Sequence, residues 1–308
     1  MESPVVSVCV QTYNHVSYIK QCLDGILMQK TDFEFEIIIG EDESSDGTRD
    51  ICIAYAKKHL DKIRLFLRSR KDVIYINDKP TGRFNVIENL KASKGKYIAL
   101  CEGDDYWTDS LKLQKQVDFM EENPEYGICF HNVEQLNSLS ELKRDTIPNV
   151  VKDEQFAIKD YILANKTATC SIMFKRKNLN IGELPNWFKK LPFADLAMIL
   201  IVMKNSNKKG MVLKDKMGVY RIHENGVHGA YHKNTKGLIS AYKQHIRFTK
   251  IIRKNWLFER DYRVVVYKKL KNVYQSLYLL YKQNKSSFRM VQSKVFTLYY
   301  KFLIKKFS

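Results

Sequence analysis

"GKYIALCEGDDYWTD" occupies residues 95–109. Its first half is a short apolar run of strand character. Its second half sets Glu102, Asp104 and Asp105 within four positions, directly before Tyr106 and Trp107. Carboxylates at that density cannot be left buried and unpaired without a large penalty, so they must meet solvent, a base or a metal. Alternating carboxylates suit a hard cation such as Mg²⁺, which takes one or two of them and completes its shell with water and phosphate oxygens. The same residues also suit a solvated strand-to-helix turn in which Asp109 caps the next helix.

Upstream, the chain repeats this arrangement. "VVSVCVQTYN" (5–14) reads as a buried strand running into a polar turn, and "VSYIKQCLDGILMQ" (16–29) has apolar residues at helical spacing. "FEIIIGEDESSDGT" (35–48) is a strand, then an acidic loop, then the start of a helix with Asp46 or Ser45 as its N-cap. "IRLFLR" (63–68) is a further strand, and "GRFNVIENLKAS" (82–93) a helix. Short apolar strands alternating with helices predict an α/β fold with a mostly parallel central sheet covered on both faces. Ligands of such sheets collect beyond the carboxyl ends of the strands, where three polar loops fall: "QTYN", "GEDESSDGT" and "EGDDYW".

Downstream the alternation weakens. Residues 110–127 predict an amphipathic helix stopped by Pro124, and "ICFHNVEQL" (128–136) a strand. Residues 137–155 read as polar and irregular. "TATCSIMFKR" (167–176) predicts a strand, and "FADLAMILIVMKN" (193–205) a helix with Asp195 in its first turn. "MGVYRIHENGVHG" (217–229) predicts a strand followed by a loop. From about 238 the chain reads as helix. Tyr267, Leu270, Tyr274, Leu277 and Tyr281 share one face, as do Val291, Val295, Leu298 and Phe302.

Charge divides the 308 residues unevenly. The net charge is +18, but residues 231–308 hold 19 Lys and Arg against only Glu259 and Asp261. Residues 1–230 are thus nearly neutral, and the expected division is an α/β domain over 1–230 and a basic, aromatic-rich helical extension over 231–308. The extension suits an anionic membrane surface, with Trp256 among its interleaved aromatics; nucleic acid is the competing acidic partner, and a merely solvated helical surface the plainer alternative. Six scattered cysteines with no metal-like spacing favour a reducing cytoplasm. The N-terminus does not read as a signal peptide, and no uninterrupted apolar stretch reaches about 18 residues.

In order and spacing, "VSVCVQTYN", "IIIGEDESSDGT" and "GKYIALCEGDDYW" together resemble the family 2 glycosyltransferases of the GT-A fold, bacterial surface-polysaccharide type. The resemblance covers residues 4–135 and resumes around 169–175, 193–204 and 219–229. It implies an inverting, metal-dependent transfer of a sugar from a nucleotide-sugar donor, a UDP-sugar above all, to a glycan or lipid-linked acceptor. Thr12, Tyr13 and Asn14 are then expected beside the nucleotide, and Asp42 on its base. Arg83 and Asn85 approach the nucleotide, and Glu102 and Asp105 border the ribose and sugar. Asp104 holds Mn²⁺ or Mg²⁺, with His223 on the metal or diphosphate and His228 as its competitor. Arg221 contacts phosphate, and Asp195 is the base. Glu41 and Glu102 depart from the family's aspartates by one methylene each. The implied location is cytoplasmic, at the inner face of the membrane, with no nucleic-acid partner. A non-catalytic nucleotide-sugar-binding module, a nucleic-acid-binding protein and a metal-dependent phosphohydrolase are the rival readings.

Overall fold

The computed structural model describes residues 3–137, 144–207, 209–224, 226, 229, 231, 234–255 and 260–308. The chain separates into two compact units. The first comprises residues 1–158 and 166–221, and the second residues 159–165 and 222–308.

The first unit opens with the expected alternation: β1 (Val6–Thr12), α1 (Ile19–Leu27), β2 (Phe35–Glu41), α2 (Thr48–Lys58) and β3 (Ile63–Leu67). A small hairpin, β4 (Ile74–Ile76) and β5 (Lys79–Thr81), precedes α3 (Arg83–Ala92) and β6 (Tyr97–Leu100). β1 and β2 are buried almost end to end, as strands covered on both faces must be. Next come β7 (Tyr106–Trp107), α4 (Lys112–Glu122), β8 (Ile128–Asn137), β9 (Arg144–Ile147) and β10 (Glu154–Ala157). After α5 (Ile158–Leu163), which belongs chiefly to the second unit, come β11 (Met173–Lys175), α6 (Ala194–Lys204) and β12 (Lys209–Ile222).

The sheet runs β10-β12-β8-β11-β6-β1-β2-β3, with β7 on β12 and β9 on β8. The parallel expectation holds for the quartet β6-β1-β2-β3. Beyond β6 it needs correction. β11 runs antiparallel to both β6 and β8, β9 to β8, and β10 and β7 to β12. Parallel pairing needs long crossovers such as those carried by α1 and α2, whereas β9 returns on β8 directly. The result is a mixed sheet flanked by helices.

Register explains why the polar loops gather at one edge. β1 pairs with β2 through Thr12 and Glu41, and with β6 through Cys9 and Leu100. The ladder continues into the loops: Asp42 N donates to Thr12 O (3.1 Å) and Gly103 N to Gln11 O (2.9 Å). Residues 12–15, 42–48 and 101–105 therefore leave the sheet side by side.

Three local expectations also change. α2 begins at Thr48 with Gly47 as N-cap, at φ 100°, a left-handed conformation that glycine adopts without a Cβ clash. Asp46 instead accepts from Thr48 N (3.0 Å) and Val16 N (3.0 Å), tying two loops together. The polar 137–155 stretch contains β9 and β10, short strands fixed by pairing with distant neighbours rather than by apolar periodicity. The strand expected over 167–176 shrinks to β11, preceded by a 3₁₀ turn at Thr169–Ser171.

The second unit contains α7 (Thr235–Asn255), α8 (Arg260–Gln283) and α9 (Ser287–Phe307). Tyr267, Leu270, Tyr274, Leu277 and Tyr281 of α8 are buried. α9 packs on α8, with Tyr274 stacked against Phe296 (ring centroids 4.7 Å apart) and Tyr300 (5.8 Å). Val291, Val295, Leu298 and Phe302 do share one face, and that face is exposed. Trp256 lies outside the described residues.

Candidate active site

Glu102, Asp104 and Asp105 follow β6 immediately, and one oxygen of each lies within 4.8 Å of the others. The tight turn depends on Gly103: a Cβ there would stand 2.6 Å from Thr12 Oγ1 and 2.9 Å from His15 Nδ1. Arg221, on β12, clamps the loop from outside. Its backbone N donates to Asp105 Oδ1 (2.8 Å), Nη1 donates to Asp104 O (2.6 Å), and Nη2 reaches Gln21 Oε1. Its guanidinium also lies over the Tyr106 ring at 4.4 Å. With these contacts made, Arg221 orders the acidic loop.

Burial and mutual repulsion govern the protonation of the cluster. Glu102 is pushed up to about 8, first by desolvation and then by the charges of Asp104 and Asp195. Asp105 is buried and also raised, by desolvation and then by Asp104 and Glu102. Its Oδ2 lies buried beside the Cys170 thiol. Three oxygen-bearing side chains, two of them held back from ionising by burial and by their neighbours' charge, form a donor set suited to a hard divalent cation, so the residues fit the expected metal. His15 adds a ring nitrogen 3.9 Å from Asp104 Oδ2.

Asp195, in the first turn of α6, is close enough for its charge to act on Glu102, Arg83 and Tyr220. The Tyr220 hydroxyl is raised by burial and then by the charges of Asp105, Glu102, Asp104 and Asp195 in turn. Four carboxylates from two distant segments thus converge. Arg83 is buried, donates from Nη2 to Leu191 O (2.7 Å) and lies over the Phe188 ring at 4.6 Å, bracing the segment that leads into α6. Burial lowers it to about 10, with Asp195 opposing the shift.

A second subsite forms at the end of β2. Asp42 is buried, accepts from Arg70 Nη1 (2.9 Å), and keeps Oδ1 without a hydrogen-bond partner among the described residues. Desolvation raises its pKa and Arg70 opposes this. The Arg70 guanidinium sits 3.9 Å over the half-exposed Tyr13 ring. A carboxylate oxygen with a spare lone pair beside an accessible aromatic face suits an N–H-bearing planar base.

Other expected residues make hydrogen bonds within the protein. Asn14 Oδ1 accepts from Ser45 N (3.0 Å), and Thr12 Oγ1 contacts His15 Nδ1 at 3.3 Å. Asn85 donates from Nδ2 to Gly40 O (2.7 Å), while Arg68 engages its Oδ1. Asn85 therefore ties α3 to β2, and its side-chain atoms are taken. Glu41, one methylene longer than the family's aspartate, braces the second loop by pairing with Arg49 and accepting from Ser44 N (2.7 Å). His223 is buried in the second unit, where Gly226 N donates to its carbonyl (3.0 Å). His228 lies outside the described residues.

Sequence reasoning missed His15, Arg70 and Tyr220. His15 directly follows the Q-T-Y-N turn and Tyr220 directly precedes Arg221, so adjacency was the available signal. Arg70 lies in a loop with no motif to mark it.

Residues 7–182 match the family model described as Glycosyl transferase family 2. The chain belongs to glycosyl transferase family 2. It is 32% identical over 235 residues to the uncharacterised protein Rv1520 of Mycobacterium tuberculosis, covering 73% of this chain and 61% of that protein. It is 26% identical over 273 residues to the putative teichuronic acid biosynthesis glycosyltransferase TuaG of Bacillus subtilis, covering 87% of this chain and 98% of TuaG. Among solved structures, S. aureus TarS 1-349 shares the fold with a TM-score of 0.52 at 16% identity, over 98% of this chain and 90% of that one. The mannosyltransferase PcManGT of Pyrobaculum calidifontis, in complex with GDP-Man and Mn2+, has a TM-score of 0.55 at 20% identity, over 82% and 65%. The fold is that of the GT-A glycosyltransferases of family 2.

Proposed function

We propose that the protein transfers a sugar from a nucleotide-sugar donor to an acceptor hydroxyl with inversion at the anomeric carbon. The observation that carries this reading is the convergence of Asp195 with Glu102, Asp104 and Asp105. In the proposed step the acceptor oxygen bonds to the anomeric carbon, the bond from that carbon to the diphosphate breaks, and the acceptor proton passes to the Asp195 carboxylate. With Asp195 as the base and the other three carboxylates given to the metal and donor, the step is a single displacement through an oxocarbenium-like state.

Asp104, with Glu102 and Asp105, would hold Mn²⁺ or Mg²⁺, which when bound supplies Lewis-acid stabilisation for the charge growing on the leaving diphosphate. Asp42 accepts a hydrogen bond from the base, Tyr13 offers it a ring face, and Arg70 fixes Asp42. Arg221 holds the acidic loop in register. Of Asn14, Thr12 and Asn85, the first two border the nucleotide through their loop, and Asn85 supports it from behind.

A UDP-sugar is the preferred donor; TarS has been solved with UDP and with UDP-GlcNAc, and PcManGT with GDP-Man and Mn2+. The name of TuaG supports an acceptor in cell-surface polysaccharide synthesis, a glycan or lipid-linked glycan. Transfer is assigned to residues 1–230. Residues 231–308 hold the enzyme peripherally at the cytoplasmic face of the membrane, and no nucleic acid takes part. No described helix is long and apolar enough to cross a membrane.

Asp195→Asn tests the assignment. Turnover should fall about 10²- to 10⁴-fold, the usual contribution of a general base, while donor binding persists. Unchanged transfer would remove Asp195 from the mechanism. Donor binding without transfer by the unaltered protein, across a broad acceptor panel, would leave a nucleotide-sugar-binding module.

A further inference from the structure

The final helix has two faces of opposite fate. Phe296 and Tyr300 pack against Tyr274 of α8, and Phe307 lies 6.0 Å from Tyr267. On the other side, Phe288, Val291, Val295, Leu298 and Phe302 recur at alternating spacings of three and four residues, so they form one continuous stripe. All five are exposed, from 54% for Val291 to 80% for Phe288. A stripe from Phe288 to Phe302 runs about 21 Å along the helix at ~1.5 Å per residue.

Charge selects the occupant. α9 carries Arg289, Lys294, Lys301, Lys305 and Lys306 and no acidic residue, and no Asp or Glu occurs anywhere from 262 to 308. Lys294, Lys301 and Lys305 are exposed and, by helical spacing, line one flank of the stripe. The three-four spacing also suits a helical partner such as a second copy of this chain. A second copy, however, would bring its own lysines against these with no carboxylate in the helix to answer them. An anionic bilayer surface satisfies both features at once: acyl chains accept the apolar stripe, and headgroup phosphates meet lysines whose aliphatic stems can lie along it.

We propose that the Phe288–Phe302 stripe of α9 lies in the interface of an anionic membrane, with the Lys294, Lys301 and Lys305 row on the headgroups. This specifies the surface behind the membrane location proposed above, and it holds or fails independently of sugar transfer.

Flotation of the full chain with vesicles tests it, using phosphatidylglycerol and phosphatidylcholine in equal parts against phosphatidylcholine alone. Binding should require phosphatidylglycerol and weaken with salt. Lys294→Glu/Lys301→Glu/Lys305→Glu should lower the vesicle affinity about 100-fold or more, and Val295→Ser/Phe302→Ser should abolish flotation. Both variants change exposed side chains, and unaltered circular dichroism and donor-induced stabilisation verify that they fold. Equal binding to both vesicle types, or flotation unaffected by either variant, would overturn the proposal. So would absence of flotation combined with concentration-dependent self-association that Val295→Ser/Phe302→Ser abolishes, which would assign the stripe to a second copy. Unchanged transfer in Asp195→Asn with flotation intact would leave the lipid assignment standing by itself.

Discussion

The two units of this chain handle charge in opposite ways. In the first, ionisable groups are drawn out of water: Asp105 and Lys112 are fully buried, Arg83 and Asp42 nearly so. Burial then sets their chemistry, raising Glu102 to about 8 and lowering Lys112, whose ammonium sits 3.8 Å over the Trp107 ring, to about 7. In the second, Lys294, Lys301 and Lys305 stand exposed beside an apolar stripe. Lys269, which donates to Leu163 O at 2.7 Å, and the buried His223 depart from this pattern. A desolvated charge is costly and therefore persists where it has chemistry or a partner, whereas exposed charge acts through the field of the whole surface. The net charge of +18 describes neither unit.

The sharpest way to break this comparison is to remove a charge of the acidic loop and look for effects on both sides. Asp104→Asn should lower sugar transfer by about 10³-fold, the scale of several kcal/mol of lost stabilisation at the leaving group, and leave vesicle flotation unchanged. A transfer assay retaining more than about a tenth of the rate would mean that the acidic loop does not face the leaving group. Asp42→Ala comes next. Loss of a buried carboxylate proposed to accept from the base should weaken donor binding about 10- to 100-fold, read by calorimetry, with smaller changes for donors whose base presents no N–H to it.

The smallest effect is a pH signature. Desolvation and like charges raise the folded pKa of Glu102 above its ordinary 4.5, so the metal-free folded state holds that proton more tightly than the unfolded chain. This contribution to stability is fully present below pH 4.5 and is lost as pH rises to about 8. Glu102→Gln should therefore match the parent protein in acid and exceed its Tm by a few degrees at pH 9 without metal. Parallel Tm curves across the pH range would show that Glu102 is not strained by its neighbours.

Much of the site was legible because it lies where strands end. Short apolar runs fixed β1, β2 and β6, and a parallel sheet with crossover helices brings their carboxyl-end loops to one edge, so Asp42 and Glu102–Asp105 were found together. Long-range pairing was not legible. β9 and β10 carry little apolar periodicity and owe their existence to β8 and β12. Arg221 was recognisable as a site residue, yet its role as the clamp of the acidic loop depends on a contact across more than a hundred residues. Asn85 and Glu41 show the converse. They occupy motif positions, but their polar atoms are satisfied by Arg68, Gly40, Arg49 and Ser44, which sequence spacing does not reveal. For α9, periodicity identified a common face, while only its packing on α8 distinguished the buried side from the exposed one.

The central claim is that the buried acids of the first unit are built around a metal and a nucleotide sugar. Thermal denaturation of the full chain with a panel of nucleotide sugars, with Mn²⁺ or Mg²⁺ and then with excess chelator, tests it most directly, because a ligand bound only by the folded state raises Tm by mass action. The account predicts stabilisation by UDP-sugars, largest with metal and abolished by chelator. Failure of every nucleotide sugar to raise Tm in the presence of metal would contradict it.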